Sequence, residues 1–157
     1  MMSDNHDDAP PDLTLEAGHF PIDVRFPSDV RYIEPLVAVV SRNCARLAFP
    51  PRVVNLQVPV ALSEALSNAI LRGNGEHPDK QVRVRACVDA SGIVVEVEDE
   101  GAGFDLDASV NDPAEPGNLE REDGRGLFLM RALMDRVEQF RDDGDGGNVV
   151  RLTLRRP

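Results

Sequence analysis

The feature that most constrains the fold is a pair of short glycine-containing segments on either side of an acidic stretch. Segment 99–104 (Asp-Glu-Gly-Ala-Gly-Phe) ends a run with the two-residue period of a β-strand, and segment 124–127 (Gly-Arg-Gly-Leu) opens a run with helical periodicity. An earlier predicted helix carries Glu64 and Asn68 four residues apart, on one face. Each feature alone is weak. Their order and spacing together predict one ligand site that contains no P-loop.

Apolar periodicity along the rest of the chain predicts an α/β domain. Alternation predicts strands at 20–26, 82–88, 93–97, 136–141 and 148–155, and spacing of three or four residues predicts helices at 28–47, 55–72 and 125–135. Ser28 is expected to cap the first helix, and Pro35 to bend that helix or delay its start. The expected architecture is one mostly antiparallel sheet with helices packed on one face. Residues 1–18 are expected to form an acidic disordered tail, which leaves 19–157 as the domain.

The charge distribution argues against nucleic acid and anionic membrane as partners. Of the net charge of −11, residues 1–12 hold four aspartates and no Lys or Arg, and residues 105–123 hold seven acids against Arg121. No basic stripe remains to displace phosphate counterions. Cys44 and Cys87 lie on predicted apolar faces, which is typical of reduced cytosolic thiols, and no apolar run is long enough to span a membrane. We therefore expect a cytoplasmic protein whose partners are proteins and small molecules.

Glu64 and Asn68 are predicted at the rim of the core. Both are rotated away from the apolar stripe of their helix, so that the carboxylate could take a proton and the amide oxygen could bind a hard cation such as Mg²⁺. A solvated polar flank is the other interpretation of this spacing.

Asp99 is predicted to face inward, since it continues the buried period of Ile93, Val95 and Val97. A buried carboxylate needs a partner, and an exocyclic amine such as that of adenine would supply one, while the glycines after it let the backbone approach a purine. A carboxylate that caps a tight turn is the alternative.

Gly124, Arg125 and Gly126 are predicted to precede a helix, where unpaired backbone amides and the helix dipole favour phosphate. A simple joint between a loop and a helix would also use glycine. Because the preceding acidic stretch would repel a triphosphate, phosphate binding here would need backbone N–H groups, the glycines and a bridging cation.

Taken together, three segments resemble the N box and the two glycine boxes of the GHKL ATPase superfamily: 61–70 (Ala-Leu-Ser-Glu-Ala-Leu-Ser-Asn-Ala-Ile), 99–104 and 124–130 (Gly-Arg-Gly-Leu-Phe-Leu-Met). Within that superfamily the chain is most similar to the bacterial anti-sigma factor serine/threonine kinases of partner-switching systems, over about residues 20–156. The resemblance implies a two-layer α/β sandwich of the Bergerat type, with a mixed, mostly antiparallel sheet and helices on one face.

The resemblance also implies a role for each matching position. Glu64 would be the general base and Asn68 the Mg²⁺ ligand. Asp99 would bind the adenine amine of ATP, and a lid would extend over about residues 105–123. The other nucleotide-binding positions would be Arg72, Gly101, Gly103, Gly124, Arg125, Gly126 and Leu127. Arg72 departs from the pattern, because many relatives carry a histidine there.

The implied function is ATP-dependent phosphorylation of a Ser or Thr on an anti-sigma-factor antagonist of the STAS type, with a sigma factor as a second partner and a homodimer as the assembly. Two other interpretations stay open. One is a nucleotide-gated module that sequesters a partner with little or no phosphotransfer. The other is an isolated catalytic domain of a histidine kinase, which is disfavoured because the chain has no dimerisation helix pair bearing a phospho-acceptor histidine.

Overall fold

The computed structural model describes residues 20–101, 122–144 and 146–157. The predicted tail at 1–18 lies outside these ranges, as does the predicted lid apart from residues 122 and 123. In chain order, the elements are β1 (Ile22–Pro27), a short 3₁₀ helix (Val30–Tyr32), α1 (Ile33–Arg46), a π-helical segment (Val53–Gln57), α2 (Val58–Ser67), a second π-helical segment (Asn68–Gly73), β2 (Gln81–Asp89), β3 (Gly92–Asp99), α3 (Glu122–Leu133), β4 (Arg136–Arg141) and β5 (Asn148–Arg155).

The five strands form one sheet in the order β1-β2-β3-β5-β4, and each neighbouring pair among the described strands is antiparallel. β3 lies at the centre, so all eight of its residues are buried. Its last residue, Asp99, pairs with Asn148 at the start of β5. The antiparallel sheet with its helices confirms the predicted two-layer α/β class. The pairing of Asp99 with Asn148 brings the end of β3 and the start of β5 to the same end of the sheet.

The helices cover one face of the sheet. The core joins the apolar stripe of α2 to alternate residues of the central strands. This is the pattern expected from the helical period of about 3.6 residues and the strand period of two. Its fully buried members include Leu62, Leu66, Ile70, Val82, Val84, Ile93, Leu127, Met130 and Leu152. Among the described residues no helix is long and apolar enough to cross a membrane.

The opposite face of the sheet carries a row of alternating charges that the sequence analysis did not predict. One residue comes from each strand in register: Asp23, Arg85, Glu96, Arg151 and Glu138. Glu96 is 3% exposed and pairs with Arg85 at 2.9 Å and with Arg151 at 2.7 Å. The two guanidinium groups provide the partners that a buried carboxylate needs.

Three local predictions differ from the structure. Asp29, and not Ser28, caps the first helical turn by accepting the Arg31 N–H, whereas the buried Ser28 hydroxyl donates to the Lys80 carbonyl. The second helix begins before Asn55, because Val53–Gln57 is already π-helical. α3 begins at Glu122, so that residues 124–126 lie inside its first turns and not ahead of it.

Candidate functional site

Asp99 presents a buried carboxylate at the end of the central strand, β3. It is 2% exposed, its Oδ1 accepts the Gly101 N–H at 2.9 Å, and its Oδ2 accepts from Asn148 Nδ2 at 3.2 Å. Burial raises the pKa of this carboxyl group, and the hydrogen bonds from Asn148 and Gly101 act in the opposite direction. Each carboxylate oxygen keeps a further lone pair, so the group can accept a hydrogen bond from a ligand amine.

Two glycines allow the backbone to pack closely around this carboxylate. A Cβ on Gly101 would overlap the Gly73 carbonyl oxygen, and a Cβ on Gly73 would overlap the Asp99 carboxyl group. A side chain at position 101 would therefore require a backbone shift, and one at position 73 would displace the Asp99 carboxyl group. Gly101 was predicted from its motif, whereas Gly73, which follows the predicted helix 55–72, was not predicted as a site residue.

A second cluster lies where α2 meets α3. A Cβ placed on Gly126 would be 2.8 Å from Glu64 Oε1 and 3.7 Å from Asn68 Nδ2. Both N-box side chains therefore border the same glycine, as the predicted spacing on one helix face requires. Because Gly126 has no side chain, it leaves space for the side chains of Glu64 and Asn68.

The second π-helical segment connects the two clusters. Asn68 is its first residue and lies near Gly126, while Gly73 is its last residue and lies against Asp99. The two ends of this segment are separated by little more than one helical turn. A single helical segment thus sets the separation between the carboxylate cluster and the Glu64–Asn68 cluster.

The Asn68 side chain offers a buried N–H₂ donor to an acceptor such as a phosphate oxygen or a water molecule. The residue is 8% exposed, and its Nδ2 is buried without a hydrogen-bond partner among the described residues. Such an unsatisfied amide is costly unless a ligand or water completes its bonding. Within the described ranges no cluster of three or more His, Cys, Asp or Glu side chains could hold a metal ion. A Mg²⁺ ion here would therefore take most of its oxygen ligands from phosphate and water.

The other predicted residues are placed as follows. Arg72 is exposed in the last turn of the second π-helical segment. The Leu127 side chain is fully buried in the core. Gly124 and Arg125 are the third and fourth residues of α3, and the amides of the first three residues of a helix have no partner inside it. Gly103 lies outside the described residues.

Asn148 is a site residue that the sequence analysis missed. It is 4% exposed, donates to Asp99, and accepts from Gln139 Nε2 through its own Oδ1 at 3.1 Å. Because Gln139 occupies the oxygen of the amide, the nitrogen is turned towards Asp99. No local pattern around residue 148 indicates this contact, since it depends on the pairing of β3 with β5.

Comparisons with known proteins show which family the chain belongs to. Residues 26–154 match the histidine kinase-like ATPase domain family. The chain is 27% identical to the serine-protein kinase RsbW of Listeria monocytogenes, over 80% of this chain and 83% of the relative, and 29% identical to the RsbW of Bacillus subtilis, over 74% and 75%. It is 36% identical to the anti-sigma F factor of Heyndrickxia coagulans, over 58% of this chain and 63% of the relative.

Among solved structures, the chain is similar to a blue-light activated histidine kinase from Erythrobacter litoralis. The TM-score is 0.47 at 22% identity, over 69% of this chain and 32% of that protein. The present chain therefore matches about a third of the length of that kinase.

Proposed function

Because the chain belongs to the histidine kinase-like ATPase domain family, we propose that it is an ATP-dependent protein serine/threonine kinase acting as an anti-sigma regulatory factor. Its substrate would be a Ser or Thr of an anti-sigma-factor antagonist of the STAS type, and its second partner a sigma factor. The names of its relatives, serine-protein kinase RsbW and anti-sigma F factor, support this reading. Such a regulator would act in the cytoplasm as a homodimer.

One observation carries the proposal: the second π-helical segment contacts both halves of the site. Its Gly73 end packs against the carboxylate of Asp99, and its Asn68 end lies with Glu64 beside Gly126 of α3. A ligand with an amine at one end and phosphates at the other would match this arrangement. ATP is such a ligand.

Asp99 would select the adenine. Its ionised carboxylate offers only acceptors, so it would bind the exocyclic amine and would repel a carbonyl at the same position of the purine. The hydrogen bonds from Gly101 and Asn148 keep the carboxylate in one orientation. Gly101, with Gly73 behind it, would let the purine approach the backbone.

The phosphates would lie at the start of α3. The amide of Gly124, in the first turn of α3, would donate to a phosphate oxygen with the support of the helix dipole, and Arg125 and Gly126 would lie beside the phosphates. Asn68 would contribute its side-chain oxygen to a Mg²⁺ ion, which on binding would neutralise phosphate charge. Arg72, at the end of the same helical run, would add a cationic side chain near an anion.

Glu64 would act on the substrate hydroxyl. The hydroxyl oxygen forms a bond to the γ-phosphorus, the bond from that phosphorus to the bridging oxygen breaks, and ADP leaves with its electron pair. The hydroxyl proton passes to the Glu64 carboxylate, which lies beside Asn68 and therefore near the phosphate end of the nucleotide.

The test is incubation of the purified chain with γ-labelled ATP and each antagonist protein encoded beside its gene. Label on a Ser or Thr of one antagonist supports the proposed kinase. Tight nucleotide-dependent binding of a partner with no label would reject the kinase and favour the sequestering module.

Gly126→Ala should lower phosphate transfer about tenfold while the chain stays folded. The new Cβ would lie 2.8 Å from Glu64 Oε1, so the carboxylate must shift by a few tenths of an ångström from its position. Displacements of about 1 Å cost roughly 100-fold in well-positioned sites, and a smaller shift should cost less. Transfer rate and ATP affinity would be measured together.

Gly144→Ala is the matched control, because a Cβ there meets only Asp142 Oδ2 at an ordinary 3.6 Å. It should transfer phosphate at the wild-type rate. Wild-type transfer by Gly126→Ala as well would contradict the placement of Glu64 beside the reacting group.

A further inference from the structure

Asn74 makes three side-chain hydrogen bonds near the site, and no motif accounts for them. It follows Gly73 directly and is 1% exposed. Its Nδ2 donates to Ser28 Oγ at 2.8 Å and to the Gln81 carbonyl at 2.9 Å, and its Oδ1 accepts the Glu100 N–H at 2.8 Å. Both N–H donors of the amide and one of the two lone pairs on its oxygen are therefore used.

These bonds join four separate parts of the chain. Ser28 follows β1, Gln81 begins β2, and Glu100 follows β3, while Asn74 itself ends the helical run. The links are reinforced by Ser28 Oγ, which donates to the Lys80 carbonyl at 2.7 Å, and by the Gln81 N–H, which donates to Glu100 Oε2 at 2.6 Å. The amide thus lies where three strands and the helix end meet.

The Glu100 bond is the one that bears on ligand recognition. Glu100 stands between Asp99 and Gly101, and the Gly101 N–H in turn holds Asp99 Oδ1. Fixing the Glu100 N–H limits the rotation of the peptide that carries the carboxylate. It also holds Gly101 against the Gly73 carbonyl, one residue before Asn74 itself.

We propose that Asn74 is a positioning residue for adenine recognition: it holds the 99–101 backbone against the helix end so that the Asp99 carboxylate meets the base amine. The inference rests on the proposed function, since it assumes that Asp99 binds adenine. It extends that function by making base selectivity depend on a residue that need not touch the nucleotide.

A residue that only stabilises the fold and a residue that positions Asp99 differ in one measurable respect, which is base selectivity. The probes are Mg²⁺ complexes of ADP and of inosine diphosphate, in which a carbonyl replaces the exocyclic amine. The wild type should bind ADP about tenfold or more tightly than inosine diphosphate, because a hydrogen bond to a charged group is lost. Calorimetry at fixed salt and pH gives both affinities.

Asn74→Ala should bring this ratio close to one, because the Glu100 N–H is released and the carboxylate loses its orientation. Asn74→Asp keeps an acceptor for that N–H and should recover much of the selectivity. If circular dichroism shows that Asn74→Ala does not fold, Asn74→Ser is used in its place. Serine is too short to bridge the Gln81 carbonyl and the Glu100 N–H, so the same loss of selectivity is expected. The control is Asn43→Ala, whose amide donates to the Val39 carbonyl within α1 and which should keep the wild-type ratio.

A folded Asn74→Ala or Asn74→Ser with the wild-type ratio overturns the inference, and leaves the adenine assignment of Asp99 intact. A wild-type chain that binds ADP and inosine diphosphate equally overturns the adenine assignment itself, and the inference with it. The second failure is seen in the wild type before any variant is compared, so the two failures are distinguishable.

Discussion

Glu64→Gln should slow phosphate transfer to an antagonist protein by roughly 10²–10⁴-fold, with ATP affinity nearly unchanged. The substitution keeps the size of the side chain and its contact with Gly126, and removes the basic oxygen. Phosphoryl transfer depends mainly on positioning and charge neutralisation, so the nucleotide should still bind in place while the substrate hydroxyl loses its proton acceptor. The measurement is label incorporation in a single turnover, with ATP affinity determined by calorimetry.

Two comparisons make the result specific to Glu64. Glu138→Gln, on the opposite face of the sheet beside Arg151, is the matched control and should transfer at the wild-type rate. Asn68→Ala should impair transfer and nucleotide binding together, because it removes the proposed cation ligand. Equal transfer by wild type and Glu64→Gln would reject the base assignment.

Asp99→Ala should weaken Mg·ATP binding by about 1.5–3 kcal/mol, which corresponds to roughly 10–150-fold. The variant removes the acceptor for the adenine amine. It also leaves the Gly101 N–H and the Asn148 amide without their carboxylate partner, so the free chain should lose about 1–3 kcal/mol of unfolding free energy. Calorimetry measures the first effect and denaturant unfolding the second.

The control for this variant is Asp89→Ala at the other end of the same pair of strands. Asp89 also accepts backbone N–H groups, from Ser91 at 2.8 Å and Gly92 at 3.2 Å, so its removal imposes a similar loss of local hydrogen bonding. Nucleotide affinity should not change in this variant. A folded Asp99→Ala chain with wild-type affinity would remove the adenine assignment.

Several features of the site follow from the sequence because they depend on residues close together in the chain. The two-residue period of β3 places Asp99 on the face that the helices cover, and the structure places its carboxyl group against Gly73 at the end of the helical run. The four-residue spacing of Glu64 and Asn68 puts them on one side of α2, where both border Gly126. The final strands agree closely with prediction, at Arg136–Arg141 and Asn148–Arg155.

Local pattern was least reliable where two interpretations of a residue compete. Ser28 has the chemistry of a helix cap, yet its hydroxyl donates to the Lys80 carbonyl, 52 residues away, and Asp29 takes the capping role. The start of α3 was placed too late, because glycine was read as a helix boundary. For Ser28, a tertiary contact outweighs the local preference.

The sequence by itself thus determined the fold class, the inward direction of Asp99 and the shared face of Glu64 and Asn68, because periodicity acts over a few residues. Only the tertiary structure decided what surrounds them: Asn148 donates to Asp99 across 49 residues, and Asn74 accepts from Glu100 across 26. Such contacts depend on strand register and on how the helix end packs against the sheet. A buried amide is recognised as part of a site only when its partners, distant in the chain, are brought within hydrogen-bonding distance.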